Sequence, residues 1–104
     1  MRAILALAVL ALATASAALA EDTALDQKVR RFLERNRGAW RDMNVPWVDG
    51  QILHDLVVKG RHTRALEIGT STGHSSIWIA WGLSKTGGKL TTVEIDPSRH
   101  AEAL

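Results

Sequence analysis

Glu67-Ile68-Gly69-Thr70-Ser71-Thr72-Gly73 is the stretch that decides the fold of this 104-residue chain. It closes Arg64-Ala65-Leu66-Glu67-Ile68, a short strand pattern in which Ala65, Leu66 and Ile68 are apolar. Gly69 permits a positive φ, or a close ligand approach that a Cβ would obstruct. Thr70, Ser71 and Thr72 are small and polar, and Gly73 admits a second tight approach. From His74 onward Ile77, Trp78, Ala80 and Trp81 follow without a breaker before Gly82, which predicts a helix starting near Gly73 and running to Leu83. The first turn of a helix offers unpaired N–H groups and about half a positive charge, a setting for a carboxylate or phosphate.

A second strand reads over Leu90-Thr91-Thr92-Val93-Glu94-Ile95, after the turn Lys85-Thr86-Gly87-Gly88. Asp96 then caps another helix, with Pro97 at its first position. Glu94 lies 25 residues beyond Gly69. An acidic group about 20 residues after a glycine loop, at the end of the second strand, is placed to accept both hydroxyls of a ribose. The spacing is not that of a dinucleotide site, which uses G-x-G-x-x-G; here it is E-x-G-x-x-x-G with two glycines. An adenosine with a short charged tail fits better than a pyrophosphate, which points to S-adenosylmethionine.

LEIGTSTGHSS followed by LTTVEIDPSR resembles the class I S-adenosylmethionine-dependent methyltransferases, an α/β, Rossmann-like fold. Met43-Asn44-Val45 followed by Gly50-Gln51-Ile52-Leu53 narrows the likeness to the catechol and caffeoyl-CoA O-methyltransferases. The likeness covers Arg37 to Leu104. It implies that Gly69, Ser71 and Gly73 line the cofactor pocket, that Ser75 meets the methionine carboxylate, and that Glu94 holds the ribose. Met43 and Val45 would flank the sulfonium, and Glu67 would either contact the cofactor's amino group or brace the loop. His74 departs from the tyrosine usual in the family. The implied reaction is methyl transfer to a hydroxyl of a small, catechol-like acceptor, with a Mg-type divalent ion whose ligands lie beyond this chain. A homodimer is compatible with the family.

Each residue also has a plainer reading. The two glycines can be an ordinary strand-to-helix turn, Ser75 a helix cap, and Glu94 a solvated strand end. His54 and His74 have no Cys or His partner at metal spacing, so neither reads as a ligand. His62 and His100 are no better placed. Trp78 and Trp81, three apart, read as core. The chain can therefore also be a non-catalytic nucleotide-binding module or pseudo-enzyme, or a short exported helical protein with an incidental loop.

Two further helices are expected upstream. Thr23 and Asp26 form a capping pattern ahead of a buried stripe of Leu25, Val29, Phe32 and Leu33, with Arg30, Arg31, Arg35, Arg37 and Arg41 towards water. Asp49 to Lys59 should turn Ile52, Leu53, Leu56 and Val57 inward, with Gly60 as the stop. Only two strands are expected, whereas the family sheet has seven, with the first strand between the second and the fourth. The chain thus reads as a methyltransferase fold truncated after the second strand and the start of the next helix, unstable and inactive alone. Residues 21–104 read as the N-terminal part of an S-adenosylmethionine-binding methyltransferase domain.

Met1-Arg2, the apolar run Ala3 to Ala13, and Ala18-Leu19-Ala20 before Glu21-Asp22 match a secretory leader over residues 1–20. An uncleaved membrane anchor is the alternative, and it would be the only contact with a membrane. The net charge is +2, and loss of Arg2 with the leader leaves +1, which gives no electrostatic basis for binding nucleic acid. The absence of cysteine excludes disulfides and thiolate chemistry. Export conflicts with a cofactor made in the cytoplasm. N-terminal sequencing of the mature protein is expected to begin at Glu21; an intact Met1 in a soluble fraction would contradict the leader.

Overall fold

The computed structural model describes residues 22–41 and 43–104, so the leader reading falls outside the described residues. The order is α1 (Ala24–Arg35), α2 (Trp47–Gly60), β1 (Arg64–Ile68), α3 (His74–Thr86), β2 (Lys89–Val93) and α4 (Pro97–Ala103). β1 and β2 pair in parallel, from Arg64 opposite Lys89 to Ile68 opposite Val93. The expected βαβ unit is therefore present. No helix among the described residues is long and apolar enough to cross a membrane.

α3 is the centre of the packing. Trp78 and Trp81 meet Leu33 of α1, with Trp40 and Trp47 alongside, while Ile79 and Leu83 meet Val57 of α2 and the inward residues Ala65 and Leu90. The tryptophans are core, as their spacing implied. Gly82 does not end α3, which continues to Thr86. A Cβ there would sit 3.0 Å from the His54 carbonyl and 3.0 Å from Val57 Cβ, so the glycine lets α2 approach instead of breaking the helix. The opposite face of the strand pair leaves Leu66, Ile68 and Val93 exposed among the described residues.

Other expectations need correction. β2 runs Lys89–Val93, which leaves Glu94 and Ile95 beyond the strand, because the Gly69 and Thr70 N–H groups both donate to the Val93 carbonyl and end the ladder there. α2 starts at Trp47, one residue after Pro46, and its left-handed C-terminal residue is Arg61 (φ 51°) rather than Gly60. Ile52 and Leu56 are exposed, as are Leu25 and Phe32 in α1, because α3 contacts a narrower stripe than the sequence pattern offered.

The largest surprise is Asp26, at 3% exposure. It closes the capping box, its carboxylate accepting from the Thr23 N–H (2.9 Å) and its own backbone N–H donating to the Thr23 hydroxyl oxygen (3.1 Å). It also accepts from Lys85 Nζ (2.5 Å) and Trp81 Nε1 (2.6 Å) of α3. Lys85, then the Thr23 N–H and the Trp81 N–H, hold its carboxyl far below 3.8 against the opposing effect of burial. The stabilisation is thus complete above pH 3.8 and is lost only as pH falls through the depressed value. Asp26→Ala should destabilise the protein by about 2 kcal/mol, since the buried Trp81 indole N–H loses its acceptor, the capping box at the start of α1 opens, and the partly exposed Lys85 ammonium loses its ion pair. Urea unfolding followed by tryptophan fluorescence measures this, and a loss under about 0.5 kcal/mol, the scale of an exposed pair, would contradict it.

Candidate functional site

The chain leaves β1 at Ile68 and turns sharply. Gly69 has φ 90° with no atom within 4 Å of where a Cβ would point, so its backbone angle, and not crowding, calls for glycine. Ser71 (φ 49°) also takes a left-handed conformation, which costs a residue with a side chain about 1 kcal/mol or more. Its N–H donates to Glu94 Oε2 at 2.6 Å. Glu94 Oε1 accepts the Asp96 N–H at 2.9 Å. Those two N–H groups, Asp96 first and Ser71 next, lower the carboxyl pKa from 4.5. The Ile95 N–H and the Arg99 charge favour the ionised form as well.

Beyond this carboxylate lies an open cleft of about 380 Å³ lined by Met43, Ile68, Gly69, Ser71, Glu94, Ile95 and Arg99. A neighbouring hollow of about 400 Å³ shares Ile68, Gly69, Glu94 and Ile95 with it. Met43, 77% exposed, reaches it from the linker between α1 and α2, again with a positive φ (61°). Two non-glycine residues in the left-handed region thus border one cleft. Local strain of this kind is characteristic of sites that the surrounding structure holds in a set shape.

Of the eight residues singled out in the sequence, Met43, Gly69, Ser71 and Glu94 come together here. The other four stand behind them. Glu67 is turned to the inner side, where it accepts from the hydroxyls of Ser75 (2.5 Å), Ser76 and Thr92 (2.7 Å). Thr92 also shares a 2.6 Å hydroxyl contact with Thr70. Glu67 therefore braces the loop, one of the two roles left open for it. Ser75 is buried, with its hydroxyl on Glu67. Gly73 is the left-handed cap of α3, with Ala103 of α4 3.6 Å from a notional Cβ. Val45 offers its carbonyl to His74 Nδ1 at 2.8 Å.

Three participants escaped the sequence reading. Asn44 donates to Thr72 Oγ1 at 2.8 Å and so ties the linker to the glycine loop; its place between Met43 and Val45 was the available signal. Thr92 was legible only as a strand residue. His74, read as having no metal role, is a buried hydrogen-bonding residue. Among the described residues no group of three or more His, Asp or Glu side chains is arranged to hold a metal ion. A separate cavity of about 390 Å³ between α1, α2 and α3, lined by Trp47, His54, Trp78 and Trp81 among others, shares no residue with the cleft.

Comparison with known proteins agrees with this geometry. A family model described as O-methyltransferase matches residues 14–104, starting within the expected leader and upstream of Arg37. Among solved structures, the O-methyltransferase from Bacillus cereus in complex with SAH superposes with a TM-score of 0.59 at 33% identity, over 75% of this chain and 36% of that one. A Klebsiella pneumoniae protein assigned as an O-methyltransferase gives 0.57 at 35% identity, over 83% of this chain and 38% of that one. The chain thus spans little more than a third of either relative. No match is found among curated proteins. A strand–glycine loop–helix–strand unit with an acidic residue closing on the loop, and a family match over most of the sequence, lead to one conclusion: the chain belongs to the O-methyltransferase family.

Proposed function

We propose that the whole protein transfers a methyl group from S-adenosylmethionine to a hydroxyl of a small, catechol-like acceptor, and that this segment supplies the donor's seat. The observation that carries the reading is Glu94, held ionised by the Ser71 and Asp96 N–H groups at the mouth of the parallel strands and lining the cleft. Its carboxylate would take the ribose hydroxyls through charge-assisted hydrogen bonds. Gly69 lets the nucleoside pass close to the backbone. Met43 would lie over the sulfonium, and the first turn of α3 would face the amino-acid tail. SAH in the Bacillus cereus relative supports this choice of ligand.

When bound, the donor supplies an electrophilic methyl carbon on a positively charged sulfur. The acceptor oxygen attacks in line, the C–O bond forms as the C–S bond breaks, the sulfur keeps the electron pair as a thioether, and the hydroxyl proton passes to a base. None of the chain's histidines is assigned that role: both ring nitrogens of His74 are engaged, and the other three lie outside the cleft lining. The divalent ion implied by the family likeness does not fit a site built from the described residues, so no step here depends on it. Export through the 1–20 leader belongs to the same proposal.

Glu94→Gln should weaken binding of S-adenosylhomocysteine, the demethylated donor, by about tenfold or more in calorimetric titration, with the fold retained and only a modest drop in the unfolding midpoint from the one N–H bond that an amide nitrogen cannot accept. Unchanged affinity would contradict the assignment. Because the Glu94 pKa lies below 4.5, binding should be flat above that pH and fall only in stronger acid. Methylation of a catechol, followed by mass spectrometry, tests the acceptor class.

A further inference from the structure

The linker 37–46 reaches the loop through two residues. Asn44 bonds Thr72 Oγ1 (2.8 Å) and the Arg41 carbonyl (2.7 Å), and its Oδ1 accepts the His74 backbone N–H at 3.4 Å. The His74 ring secures the next residue, with Nδ1 2.8 Å from the Val45 carbonyl and Nε2 2.9 Å from Trp78 Nε1. These partners assign the tautomer. A carbonyl can only accept, so Nδ1 carries the hydrogen; an indole N–H can only donate, so Nε2 is bare. The ring is 1% exposed. Trp40 stacks on it at 4.8 Å and 14°, and Trp47 and Trp78 pack at 6.0 and 6.3 Å.

We propose that His74 is a positioning residue and a pH-responsive latch: its neutral Nδ1–H form pins the linker so that Met43 overhangs the cleft, and protonation at Nε2 releases it. The consequence for ligand binding rests on the reading of the cleft as the methyl-donor site. A proton on Nε2 would point at the Trp78 N–H, donor against donor, and would place a charge in a stack of indole rings. Cation–π attraction offsets only part of the combined loss of a buried hydrogen bond and of solvation.

The charged groups on the packed elements do not rescue the cation. Arg37 lies 4.4 Å over the Trp47 ring and repels it. Arg41 bonds the Gly38 carbonyl, Glu67 takes the hydroxyls of Ser75, Ser76 and Thr92, and Asp55 pairs with His54. Asp49 stands exposed in the first turn of α2. Asp42, also on the linker, lies outside the described residues. Burial holds the His74 pKa below 6.5, opposed by the Val45 carbonyl. A depressed histidine pKa means that the latch is intact above 6.5 and weakens as pH falls through the lower folded value.

The test is a ¹⁵N-resolved NMR titration of the protein from about pH 8 to about pH 5, the span over which histidine switches. The imidazole shifts should report the Nδ1–H tautomer at neutral pH, and the Trp78 indole and the Asn44 and Val45 amide signals should move together as the ring protonates. An Nε2–H tautomer, or linker signals that ignore protonation, would overturn the latch. Two variants separate positioning from bulk. His74→Asn keeps a donor for the Val45 carbonyl and should hold the linker without pH dependence; His74→Phe keeps only the stacking and should free it at every pH. Should the phenylalanine variant fail to fold, His74→Asn and Trp78→Phe decide: an unchanged acid transition in both would also overturn the proposal. In titration with S-adenosylhomocysteine, linker release should cost about tenfold in affinity. If the unaltered protein binds none, the methyl-donor reading fails, while the latch is still judged from the spectra.

Discussion

One carboxylate, on the last inward-facing position of β1, holds together everything that shapes the cleft. Glu67 receives hydroxyls from Ser75 and Ser76 at the start of α3 and from Thr92 on β2. A strand, its parallel neighbour and the helix between them are thereby fixed at one point. The five-residue turn between strand and helix then has little freedom, and its left-handed residues at Gly69, Ser71 and Gly73 persist because both ends are anchored. Thr70 joins the same network through Thr92.

The cleft is assembled on the other side of that turn. Glu94 is locked by the backbone it faces, and Asp96 caps α4 with bonds to the Ser98 and Arg99 N–H groups directly afterwards. The linker from α1 closes the arrangement through Asn44 and Val45. α1 is itself secured to α3 by the buried Asp26. α3 is thereby tied near its end to α1 through Asp26 and at its start to the linker through Asn44 and the His74 ring.

The legible part of this arrangement was local. Period-two strands, a glycine loop and a proline-started helix are short-range patterns, so the βαβ unit could be read directly, as could the meeting of Gly69, Ser71 and Glu94. Burial was less legible, because it depends on partners distant in sequence. Leu25, Phe32, Ile52 and Leu56 keep a helical apolar spacing yet face outward, while Asp26, polar by composition, is buried because Trp81 and Lys85 arrive 55 and 59 residues later. Gly82 looked like a stop and serves as a contact surface for α2. His74 was hidden for the same reason: its partners are a carbonyl at residue 45 and an indole one turn on, and neither is visible as a motif.

The most direct measurement is a crystal structure of the complete gene product soaked with S-adenosylhomocysteine. The ribose hydroxyls should lie within hydrogen-bond distance of Glu94, with the nucleoside against Gly69 and the thioether beneath Met43. An empty cleft with the ligand bound elsewhere, or Glu94 turned away from the sugar, would contradict the account.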